Sequence, residues 1–252
     1  MLMLIDGGPN KNGPIKSSGF TIVELMIALT VLSTILLLST IVLINIGALY
    51  SKGVNAASLQ NTTRTIAADL TSSLQFSGND PSGCNYEEGG ITCATGRIPK
   101  TAGGTPYYIY SFCINTTRYS YVLNKEMGND SGSTPPNLVT NHVLWRDTMK
   151  NNSSCPPLDI AAAIVQTDSM SAEGAGNSKG YDMVSDHMRL TRFKVKQDPP
   201  SSGIYKIETW LAFGDTDLLN LPANGAATCK GGTGNQFCGT SALTTSVKRR
   251  LQ

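Results

Sequence analysis

From Phe20 to Tyr50 the chain carries a single charged side chain, Glu24. The part from Phe20 to Ile46 is 27 residues long and free of proline, enough for a helix to span a bilayer with some tilt. A carboxylate in such a segment is costly, roughly 2.5 to 3.5 kcal/mol at the centre of a membrane helix and less near an end. Glu24 is the fifth residue of the run, so a cation must meet it. Cleavage between Gly19 and Phe20 would create one, the new α-ammonium of Phe20. Gly19 has no Cβ, which lets a peptidase approach the backbone closely. The run is too long for the apolar core of a secretory signal peptide, and no small-residue cleavage site follows it.

The residues Gly19-Phe20-Thr21-Ile22-Val23-Glu24-Leu25-Met26-Ile27-Ala28 resemble the signature of type IV prepilins and type II secretion pseudopilins. The resemblance implies a prepilin peptidase that cuts after Gly19 and N-methylates Phe20. It also implies that Glu24 pairs with a neighbouring subunit during assembly. The competing reading is an ordinary signal anchor, with Glu24 at headgroup depth and in reach of water. Farther along, Arg64–Leu70 followed by Gly78 and Cys84 is similar to the same region of PilW-type minor pilins, which are related to the J-class minor pseudopilins. Val143-Leu144-Trp145-Arg146 before Cys155, and the late Thr244–Arg250 segment, match more loosely. The run continues unbroken through Ile41, where major pilins carry a proline, and the chain is longer than most of them. Both departures point to a minor subunit.

Charge and cysteine bound the remaining classes. The formal net charge is +2; Asp6, Lys11 and Lys16 account for +1 of it, leaving +1 after residue 19. That is no footprint of a dedicated nucleic-acid binder. Lys248-Arg249-Arg250 reads as a solvated strand end rather than a contact to DNA or phospholipid. Lys11 and Lys16 precede the apolar run while Lys52 and Arg64 follow it, so flanking charge decides orientation poorly. Cysteine decides better: Cys84, Cys93, Cys113, Cys155, Cys229 and Cys238 all follow the run. An even count placed this way implies an oxidising compartment outside the cytoplasm. The expected bridges are Cys84–Cys93, Cys113–Cys155 and Cys229–Cys238, the first and last closing short glycine-rich loops. The alternative, a metal held by cysteines, lacks any C-x-x-C.

The expected organisation is a leader over 1–19, a membrane or filament-core helix over 20–50, an amphipathic continuation over 51–77, and a β-rich globular domain over 78–252. Ala56, Leu59, Thr63, Ile66, Leu70 and Leu74 step by threes and fours, which marks one helix face. Gly78-Asn79-Asp80-Pro81 should stop that helix. Strands are expected at Thr105–Ile114, Arg118–Asn124, Asn141–Arg146, His187–Gln197, Ile204–Phe213 and Leu243–Lys248. Met188 and Leu190 are out of phase with Phe193 and Val195, which predicts a bulge. Asp198–Gly203 reads as a hairpin loop; residues 125–140 and 166–180 read as loops. The fold class is α+β, pilin-like, with the helix packed on an antiparallel sheet.

No P-loop, H-E-x-x-H or serine-nucleophile motif is present, so the chain is expected to be no enzyme and to need no cofactor. Asp215-x-Asp217 with Asn220 offers hard oxygen ligands for calcium, but reads better as a solvated turn. His142 and His187 lie in strand-like surroundings and read as structural. The sequons at Asn61, Asn115, Asn151 and Asn152 read as ordinary polar surface. The resemblance thus implies a structural subunit held in the inner membrane with its C-terminal domain outside, then moved into a pilus at the cell surface. Its partners would be other pilins or pseudopilins, the prepilin peptidase, an inner-membrane assembly platform and the lipid bilayer. Three other readings compete: a type II secretion pseudopilin, a membrane-anchored periplasmic enzyme or binding protein, and a DNA-uptake pilin.

Overall fold

The computed structural model describes residues 19–83, 97–102, 105–127, 139–140, 142–149, 155–160, 170–172, 176–178, 180–185, 187–222, 226–232 and 234–250. The chain divides into two compact units, 1–47 and 48–252. One helix, α1 (Ile22–Gln75), is 54 residues long. It passes through Gly47 without a break and ends three residues before the expected stop at Gly78.

The strands are β1 (Ser82–Gly83), β2 (Arg97–Ala102), β3 (Thr105–Ile114), β4 (Thr117–Val122), β5 (Glu126–Met127), β6 (Val139–Thr140) and β7 (Leu144–Thr148). They continue with β8 (Met170–Ala172), β9 (Gly176–Ser178), β10 (Gly180–Asp182), β11 (Met188–Gln197), β12 (Ile204–Phe213), β13 (Leu219–Asn220), β14 (Thr228–Cys229) and β15 (Gly239–Lys248). One sheet runs β1-β3-β4-β7-β10, with β2 also on β3; a second runs β15-β12-β11-β5-β6. Among the described residues all pairings are antiparallel except β5 with β6. The architecture is α+β and pilin-like.

Several expectations shift. The expected strand at Asn141–Arg146 forms as Leu144–Thr148, and the last strand begins at Gly239, four residues before Leu243. Described parts of 125–140 and 166–180 form short strands rather than loop. The β2 strand was not anticipated. The bulge falls between Leu190 and Arg192, where the face alternation reverses. The Asp198–Gly203 hairpin is closed by the Asp198 N–H on the Ile204 carbonyl at 2.8 Å.

Within the second unit, the helix stripe is what the sheets cover. Leu59, Thr63, Ile66, Ala67, Leu70 and Leu74 are buried. Of these, Leu59, Ile66, Leu70 and Leu74 share a core with Tyr110, Phe112, Tyr119 and Tyr121 of the first sheet and Phe193, Val195, Ile207 and Leu211 of the second. Each fully buried Leu or Ile contributes roughly 1.5 to 3 kcal/mol through apolar area removed from water. Phe112 stacks on Tyr119 at 5.1 Å, and Tyr121 meets Phe193 edge-on at 5.0 Å.

Polar contacts fix the helix on this core. Asp69 accepts from Tyr119 Oη at 2.6 Å and from Arg146 Nε at 3.0 Å. The carbonyl of Gln75, one of the acceptors a helix end leaves open, accepts from the Arg250 N–H at 3.0 Å. Asp80 accepts from the Tyr205 hydroxyl and from Arg249 Nη1 at 2.7 Å.

The opposite face of the first sheet is covered by residues 155–160. Ile109, Val122, Trp145, Leu158 and Ile160 form a second apolar cluster there. Beside it, Arg118 and Asp147 are cross-strand partners with both side chains 0% exposed. Arg118 Nε donates to Asp147 Oδ1 at 3.0 Å, and its Nη1 donates to the Pro156 carbonyl at 3.1 Å. Cys113 is bonded to Cys155, so one covalent link and one hydrogen bond from the ion-paired Arg118 hold the same segment. Gly180 lies against Trp145 so closely that a Cβ would come within 2.4 Å of the indole nitrogen.

The buried tyrosines make stability depend on alkaline pH. Burial pushes Tyr110 up to about 12; burial, then the hydrogen bond to Asp80, pushes Tyr205 up to about 12; burial and Asp69 raise Tyr119. An unfolded tyrosine ionises near 10. Stability from these neutral phenols is therefore complete below about pH 10 and is lost as pH rises through about 12. Thermal unfolding followed with tyrosinate absorbance should show a falling midpoint over that window. A midpoint flat to pH 12 would contradict the assignment.

Candidate functional site

The residues with the strongest functional signal lie where α1 begins. Gly19, Phe20 and Thr21 precede the helix, and Gly19 and Phe20 are both exposed, Phe20 at 78%. The Gly19–Phe20 bond thus lies in accessible, non-helical backbone next to a helix start.

Thr21 caps that start. Its Oγ1 accepts from the Glu24 N–H at 3.3 Å, and its carbonyl accepts from the Leu25 N–H at 3.1 Å. Thr21-x-x-Glu24 is the residue pattern of a capping box. In the sequence Glu24 stands out as a charge in an apolar run, which masks its place in this local pattern. Glu24 also falls in the first turn, where a negative charge faces the positive end of the helix dipole. The carboxylate is therefore compatible with helix formation before any partner meets it.

From Leu25 to Ile46 the helix presents apolar side chains and hydroxyls, with the Asn45 amide as the one exception. Among those exposed are Ile27, Val31, Ile35, Leu38, Val42 and Ile46. Thr30, Ser33 and Thr34 donate to the carbonyls three residues back at 2.8 to 2.9 Å. Ser39 and Thr40 donate four residues back at 2.8 Å. Each hydroxyl is satisfied within the helix, as a segment without water requires. By length and composition α1 can cross a membrane, and it is the one helix among the described residues that can.

The other residues singled out from the sequence fall into place as follows. Cys229 is bonded to Cys238, as Cys113 is to Cys155; Cys84 and Cys93 lie outside the described residues. His142 Nδ1 is 2.6 Å from Asp182 Oδ2, with its ring against Trp145, a structural setting. Asp215 is not grouped with Asp217; it converges with Glu126 and His187 instead. Arg249 is paired with Asp80 and the Arg250 N–H caps the helix, so two members of the basic triplet act in the fold. Asn115 sits in the β3–β4 turn at φ 53°, and Asn151 and Asn152 lie outside the described residues.

Residues 15–40 match the family model described as the prokaryotic N-terminal methylation motif. No curated protein and no solved structure matches the chain. The match spans Gly19, Phe20 and Glu24 and ends within α1, well before the β-rich unit. The chain therefore carries a type IV pilin-like signal for N-terminal processing, ahead of a membrane anchor.

Proposed function

We propose that the chain is a minor pilin, a structural subunit of a type IV pilus or related filament, with no catalytic role. The observation that carries this is Glu24, the only charge in the apolar run, five residues into the segment that follows Gly19 inside the matched motif. A prepilin peptidase removes residues 1–19 and methylates the α-amino group of Phe20. The subunit waits in the inner membrane with its β-rich domain outside the cytoplasm. It then leaves the bilayer along α1, and the Glu24 carboxylate meets the Phe20 α-ammonium of an adjacent subunit. Burying both charges is expensive, so the pair fixes register more than it adds stability. The disulfide-closed, sheet-covered unit suits exposure outside the cell.

Mass measurement of the protein purified from cells with active prepilin peptidase tests the first step. The expected product begins at Phe20 and carries one added methyl group. A product that retains residues 1–19, or one cut elsewhere, would refute the reading.

A further inference from the structure

We propose that Glu126, His187 and Asp215 form a binding site for a divalent transition metal of the zinc class, at the end of the second sheet. One ligand atom from each lies within 4.8 Å of the other two. The three come from separate elements. Glu126 is on β5, paired across the ladder with Arg189 of β11. His187 directly precedes β11, and Asp215 follows β12. The Gly214 N–H on the His187 carbonyl, at 3.2 Å, ties the last two segments together.

The donor set decides the class of ion. An imidazole with two carboxylates suits zinc or a neighbouring transition metal, whereas calcium takes six or more oxygens. Zinc binds such ligands at roughly 2.0 to 2.2 Å, so an ion at the centre needs the three atoms to close inward by somewhat under 1 Å each. His187 and Asp215 are exposed and can make that movement; Glu126 is the partly buried anchor.

Arg189 supplies a second, independent sign. Its side chain is 0% exposed, and its Nη2 donates to Glu126 Oε2 at 2.7 Å. That contact orients the carboxylate and leaves Oε1 for an ion, the arrangement of an outer-shell partner. Its other terminal nitrogen, Nη1, is buried beside the cluster without a hydrogen-bond partner. A water held at the open fourth position of the ion is an acceptor of the kind it lacks. Without an ion, Glu126 and Asp215 face each other with Arg189 as the counter-charge. Counted over Glu126, Asp215 and Arg189, a divalent cation reverses that balance from net −1 to net +1.

The test uses the full chain in detergent, with ZnCl2 as the probe and no thiol reductant. One zinc per chain should bind, and at about a hundredfold excess over Kd the unfolding midpoint should rise by roughly 5 °C. CaCl2 at the same concentration should give no rise. His187→Ala and Asp215→Asn should each weaken zinc binding by at least about tenfold, while Asp217→Asn leaves it unchanged. If His187→Ala does not fold, the exposed Asp215→Asn makes the same comparison. No zinc-dependent shift, an equal shift with calcium, or a zinc shift that survives Asp215→Asn would each overturn the assignment.

Discussion

Glu24→Ala should yield a subunit that is cleaved after Gly19 and methylated on Phe20, yet falls at least about tenfold in sheared filaments relative to the native chain. The cleavage site lies in exposed backbone ahead of the helix, so the peptidase step has no need of the Glu24 carboxylate. The proposed assembly does need it, because an α-ammonium buried without its counter-ion would carry the full desolvation cost. Loss of the capping interaction is a smaller matter. The Thr21 Oγ1 contact is to the Glu24 backbone N–H, which alanine keeps. Immunoblots of the membrane and sheared fractions, with mass measurement of the membrane form, separate the two steps. Unchanged incorporation of the variant would refute the pairing.

The largest stability effect is expected at Asp147. Asp147→Ala leaves the Arg118 guanidinium in a fully buried position without its carboxylate. Breaking one partner of such a pair costs about 3 to 5 kcal/mol, which lowers the unfolding midpoint of a domain this size by roughly 10 °C. The Pro156 carbonyl on Nη1 offsets only part of that. The double variant Arg118→Met, Asp147→Leu should recover most of the loss, because two matched apolar groups strand no charge. A midpoint drop under about 2 °C for Asp147→Ala would show that water reaches the guanidinium.

The same pair shows where sequence reasoning ends. Neither Arg118 nor Asp147 is marked by any pattern in the sequence, and nothing local reveals that β4 and β7 bring them face to face beneath residues 155–160. The helix stripe from Leu59 to Leu74 was legible, because a period of three to four reports a buried face whatever covers it. The bulge near Thr191 was legible for a similar reason: a reversal of face is visible in the order of side chains alone. Gly239-Thr240-Ser241-Ala242 has no strand-like composition, yet it pairs with β12 as far as Phe213 opposite Gly239. There the partner strand, not local propensity, sets the conformation. At the candidate anchor, Gly19, Phe20 and Glu24 could be read directly, while the cluster of Glu126, His187 and Asp215 could not, since its members are 61 and 28 residues apart in the chain.

The hydroxyls of Thr30, Ser33, Thr34, Ser39 and Thr40 are already spoken for by the backbone of their own helix. On the proposed assembly, none of these five bonds has to be broken or remade when the surroundings of the segment change from acyl chains to the side chains of other helices. Such a rod is indifferent to which oily medium holds it. Passage between media would then turn on shape, on the lone carboxylate of Glu24 and on the amide of Asn45, a discrimination that a helix with outward-reaching hydroxyls could not make so cleanly.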